Sequence, residues 1–129
     1  MDRKFIMMAL GYAIVGMTLG VYMGASGNHG QFVTHSHIML LGFVVSFIYG
    51  LCHKLWLNNG TSTLAVVQFY VHQVATLILV SGLFLYYGGF VQESAIGPFL
   101  GAASVTALIG MVLMYVLFLN GRTVPASGK

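Results

Sequence analysis

The sequence predicts an all-α integral membrane protein, a bundle of four transmembrane helices with both termini in the cytoplasm. Composition is the first observation. Of 129 residues, 58% are hydrophobic and only 5% are charged, with a mean hydropathy of +0.91. A soluble domain carries charge on about a quarter of its residues, so this chain cannot build a water-facing surface. The second observation is that four stretches reach the length of about 20 apolar residues that a membrane helix needs. The third is that all five Lys and Arg fall on one side of a four-span arrangement.

The first span runs from Phe5 to Ala25 and the second from Val33 to Trp56. The third runs from Leu64 to Tyr87 and the fourth from Ile96 to Leu119. Turn chemistry separates them: Ser26-Gly27-Asn28-His29-Gly30, then Asn58-Asn59-Gly60-Thr61-Ser62, then Gly88-Gly89 with Gly97-Pro98. The tail from Asn120 to Lys129 is short and polar, and the linkers leave no room for a second domain. Asp2-Arg3-Lys4 would suit the start of a signal peptide. The apolar run that follows exceeds the usual 7–15 residues of such a segment, so a retained helix is expected.

Charge sets the topology. Arg3, Lys4, Lys54, Arg122 and Lys129 share one side, and Glu93 lies on the other. Positive charge stays in the cytoplasm, which places both termini there; the expected location is a bacterial inner membrane. Five scattered cations form no basic patch, which excludes a nucleic-acid surface. The single Cys52 excludes an internal disulfide, a Cys-x-x-Cys pair and a covalent c-type haem site.

Ionisable side chains inside a bilayer are costly and usually functional. The candidates here are histidines. His35 and His37 open helix two, His72 lies well inside helix three, His53 ends helix two and His29 sits in the outer loop. At α-helical spacing, His35, Met39, Gly42, Ser46, Tyr49 and His53 make one polar or small stripe. His37 falls on the greasy opposite face. Gly42 would leave room for a flat ligand against the backbone. On helix three, Gln68, His72 and Thr76 align, continued by Leu79, Leu83 and Tyr86. Neutral imidazole ligates haem iron and other metals. The bland alternative is a polar stripe turned to the bundle interior, with His72 hydrogen-bonded to Gln68, Thr76 or a neighbouring helix. Gly16, Gly20 and Gly24 on helix one, and Gly97, Gly101 and Gly110 on helix four, read as close helix packing. Eight scattered methionines make a copper site less favoured than core filling. Tyr86, Tyr87 and Trp56 read as interfacial anchors.

The segment Thr34-His35-Ser36-His37-Ile38-Met39-Leu40-Leu41-Gly42-Phe43 resembles helix two of subunit I of haem-copper oxidases, where a His ahead of a Gly-Phe pair is an axial ligand of the low-spin haem. The chain resembles still more a group of small four-helix membrane proteins similar to that subunit. Those share a His-x-His-x-x-Leu-Leu-Gly start to helix two and an aromatic-x-x-His segment like Phe69-Tyr70-Val71-His72. The likeness covers helices one to three, about two thirds of the chain. Gln68 departs from it, standing where some relatives carry another His.

The resemblance implies haem b, with His35, His37 and His72 as candidate ligands and Gly42 beside the haem. It does not imply oxygen reduction, because a complete oxidase centre needs more histidines than the five present. By analogy with the pseudo-threefold large subunit, it implies a homo-oligomer, a trimer above all. Depth limits the ligand pairing. His37 and His72 differ by on the order of 15 Å along upright helices, and rotation about the membrane normal preserves that difference. His35 and His37 diverge by about 200° and cannot serve one iron from the same side.

The function expected is therefore a b-type haem membrane protein in electron transfer or in redox or gas sensing, with a respiratory partner. The alternatives are a copper- or haem-handling assembly factor for an oxidase and a structural subunit without a cofactor.

Overall fold

A computed structural model describes residues 1–57 and 62–121. The loop from Asn58 to Thr61 and the cations Arg122 and Lys129 lie outside the described residues. The rest is all-helical, with no strand among the described residues. Helix α1 spans Asp2–Ser26, α3 Thr63–Tyr87 and α4 Glu93–Gly121. Helix α2 covers Phe32–Leu55, and its middle, Ile38–Val45, is wound as a π-helix. All four are long and apolar enough to cross a membrane. Their outward faces carry Ile14, Val21, Leu40, Val74, Leu108 and Tyr115, each about half exposed or more. A lipid bilayer suits that surface, since hydrocarbon tails cover apolar side chains at no cost.

Local chemistry sets the helix ends. Gly27 takes the left-handed conformation, φ 74°, that closes α1 and returns its N–H to the Met23 carbonyl. Ser62 caps α3, its hydroxyl accepting from the Ala65 N–H at 3.2 Å. At the start of α2, Thr34 donates to the Gln31 side chain, and the Gln31 amide donates to the Phe84 carbonyl, which ties α2 to the end of α3. Helix α4 begins at Glu93 rather than at Ile96, so Gly97-Pro98 is helix and not turn. Pro98 forfeits one intrahelical bond, to Ser94 in the first turn. Ser94 is exposed, so that carbonyl can be solvated.

Helix α1 packs on α2 and α4 packs on α3, while α2 and α3 form the seam between the pairs. An apolar cluster fills each end of the bundle. Phe5, Tyr49, Ala65, Phe69, Met114 and Leu117 make the one near the N-terminus, and Leu79, Leu83 and Ala103 the one at the far end. Between them lies a polar belt of Ser46, Gln68, His72 and Thr76, all without solvent exposure.

The π segment resets which residues of α2 face inward. A π turn bonds i to i+5 and is wider than an α turn. Residues four apart therefore stay aligned, and the buried line runs through Thr34, Ile38, Gly42 and Ser46, then on to Tyr49 and His53. This corrects the stripe read from α-helical spacing. His35 and Met39 sit beside the buried line and turn toward α1, where Gly16 and Gly20 receive them. Those two glycines do allow close approach, as expected. Among the described residues, a Cβ at Gly24, Gly97 or Gly101 would meet nothing within 4 Å, so no close helix approach depends on these three.

Candidate functional site

His35 is part-buried against α1. Its Nδ1 lies 2.8 Å from the Gly16 carbonyl oxygen. A carbonyl only accepts, so Nδ1 carries the hydrogen, and the neutral ring keeps its lone pair on Nε2. Gly20 makes this possible, since a Cβ there would stand 3.0 Å from the His35 Cε1. His37 is held in the same sense but by its own helix. Its Nδ1 donates to the Val33 carbonyl at 2.9 Å, just before the helix widens. In metal sites, a backbone carbonyl on one imidazole nitrogen fixes the tautomer and the ring for ligation through the other. Both histidines meet that condition.

Gly42 does something different from what its spacing suggests. A Cβ at Gly42 would lie 2.7 Å from Cγ of Tyr12, so the Tyr12 ring occupies the space that the sequence reading reserves for a flat ligand. The Tyr12 hydroxyl continues inward and donates to the Gln73 side-chain oxygen at 2.8 Å. Gly42 is a close-packing position for α1.

His72 is wholly buried in the polar belt. Its Nε2 shares a 2.9 Å hydrogen bond with the Ser46 hydroxyl, and its ring meets Tyr49 edge-on at 4.9 Å between centroids. Phe5 lies 6.3 Å away and Gly110 of α4 closes against its backbone. Nδ1 has no partner. With one nitrogen engaged and rings around it, His72 has no room for a porphyrin. Its surroundings match a core histidine bonded to a neighbouring helix.

His53, which the sequence reading placed on the polar stripe at the end of helix two but not among the ligands, is enclosed. It is only 1% exposed, stacked on Phe5 at 5.5 Å, and neither ring nitrogen has a partner. The usable signal was its place on the line of Ser46 and Tyr49. His29 stays in the loop between α1 and α2, its Nδ1 3.1 Å from the Gly27 carbonyl.

The histidines do not converge. No group of three His, Cys, Asp or Glu side chains able to hold a metal ion comes together among the described residues. Comparison with known protein families, with curated proteins and with solved structures gives no match.

Proposed function

We propose that the chain is a b-type haem membrane protein, with His35 as the ligand that each copy offers and electron transfer or redox or gas sensing as its role. The observation that carries this reading is the fixed ring of His35, with its Nδ1–H on the Gly16 carbonyl and its Nε2 lone pair unused. His37 is the second candidate, since its ring is fixed in the same way. The residues fit haem as single ligands from separate faces and not as an intrachain pair with His72, which is enclosed and already bonded to Ser46. Bound haem would supply a one-electron couple. The protein's part is to fix the imidazole, keep its tautomer and exclude water.

A single chain offers one fixed histidine per face, so a symmetric homo-oligomer completes the site, a trimer being what the likeness to oxidase subunit I implies. The N-terminus, Lys54 and the end of α4 lie on the cytoplasmic side in this reading, in a bacterial inner membrane. A respiratory electron carrier is the partner proposed.

The test is haem content per chain after expression with haem precursor. Wild type should retain haem, Gly20→Val should lose most of it by displacing the His35 ring, and Gly24→Val should keep it, since nothing faces Gly24. Equal haem in both variants would overturn the assignment of His35.

A further inference from the structure

At the end of the bundle that holds the N-terminus, α1 and α2 leave a cleft of about 380 Å³ between them. Arg3 in the first turn of α1 and Lys54 in the last turn of α2 both line it. Two of the chain's five Lys and Arg therefore meet at one cleft. Asp2 lines it too, its Oδ1 accepting the Arg3 backbone N–H at 2.6 Å. The lining side chains thus carry one net positive charge. The rest of the lining is apolar and includes Met7, Leu10 and Leu51. Leu10 lies about 10 Å further along α1 than Arg3, and both Met7 and Leu10 are exposed. The cleft therefore runs from charge at a span end onto an apolar face that the bundle leaves uncovered. A bias of Lys and Arg to one side of a membrane does not by itself bring two of them onto one cleft. Lys4 follows Arg3 in the chain, yet its Nζ lies 6.0 Å over the Phe69 ring of α3 and it does not line the cleft. The helix dipole favours a cation at the end of α2 but not at the start of α1, so Arg3 stands against it.

We infer that this cleft binds an anionic phospholipid of the phosphatidylglycerol class, with its phosphodiester between Arg3 and Lys54 and an acyl chain along Met7, Leu10 and Leu51. Charge selects the class. A phosphodiester carries one negative charge, which balances the net charge of the lining. A zwitterionic head would leave that charge unbalanced, and Asp2 would repel the second charge of a free phosphate or a phosphate monoester. Donor chemistry fits as well, since a guanidinium offers forked N–H groups to phosphate oxygens and an ammonium offers a compact charge. Depth is the third match. Both α1 and α2 are long and apolar enough to cross a membrane, so their ends reach the level of the headgroups. Basic pockets between helices at that level suit anionic heads. The inference needs only the four spans. His35 is at the other end of α2, so it stands apart from the haem proposal.

The probe is dioleoyl phosphatidylglycerol, titrated against the purified full chain in an uncharged detergent, with bound lipid counted by native mass spectrometry. The expected result is saturable binding near one per chain. Arg3→Gln and Lys54→Gln should each weaken it about fivefold. Leu51→Trp, which narrows the cleft and leaves both cations in place, should weaken it too. Lys4→Gln removes the same charge outside the cleft and should leave the affinity unchanged. If Leu51→Trp fails to fold, as judged by thermal melting, the three charge variants decide, since all three positions are exposed. Absence of saturable binding, or affinity unchanged in Arg3→Gln and Lys54→Gln, overturns the inference. So does an equal loss in Lys4→Gln, equal affinity for dioleoyl phosphatidylethanolamine, or displacement of the lipid by inorganic phosphate at comparable concentration.

Discussion

The two ends of α2 treat a histidine in opposite ways. Near the start, His35 and His37 are part-buried, and each gives its Nδ1–H to a backbone carbonyl. Near the finish, His53 is sealed against Phe5 with both nitrogens idle. His72 of α3, between the two, is sealed as well but shares a bond with Ser46. The difference teaches that burial and availability are separate properties. The deepest histidine is the most structural, and a shallower one has the geometry of a ligand. Under the proposed function, the general expectation that an intramembrane ionisable group is functional would be met at the edge of the bundle rather than at its centre.

Substitutions at the two ends should therefore behave differently, and the largest effect is expected at Phe5. It has no exposure and packs on Tyr49, His53 and Phe69. Phe5→Ala should cost about 3–5 kcal/mol of stability in reversible unfolding in detergent. A loss under about 1 kcal/mol would mean that the N-terminal cluster is not a rigid base for His53 and His72. Gly42→Val comes next, at about 1–3 kcal/mol, because the new side chain meets the Tyr12 ring. Adding Tyr12→Ala should recover part of that loss, and a strictly additive double variant would refute the contact. Ser46→Ala should cost about 1–2 kcal/mol by leaving both His72 nitrogens unpaired. The smallest effect is His37→Ala, about 1 kcal/mol or less, since its bond to Val33 lies within one helix. A large loss there would show that His37 holds the π segment in place.

The four spans were legible because length and apolar composition alone decide them, and each lies within a few residues of its expected place. The buried face of α3 was legible too. Gln68, His72, Thr76, Leu79 and Leu83 keep α-helical spacing and are all buried. The π segment was not. Ile38 to Val45 is apolar throughout except for Gly42, so no polar residue marks a change of period. That hidden change moved His35 off the buried line and put Thr34 on it. Phe5 read as the edge of a span and is the centre of a cluster, because the N-terminus of α1 is covered by α2 and α3. The site was legible as residue types and not as an assembly. His35, His37 and His72 were singled out as candidate haem ligands by residue type and position, but the partners of His35 and His72 depend on contacts between helices. Gly42 showed a space without showing that Tyr12 fills it.

One measurement bears most directly on the claim that availability, and not depth, selects the haem ligand: oxidised and reduced optical spectra of haem-replete protein, compared among wild type, His35→Ala and His72→Ala. The claim predicts sharp reduced Soret and α bands in wild type and in a folded His72→Ala, and their loss in His35→Ala. A folded wild-type protein without visible absorbance, or bands that survive His35→Ala and vanish with His72→Ala, would contradict it.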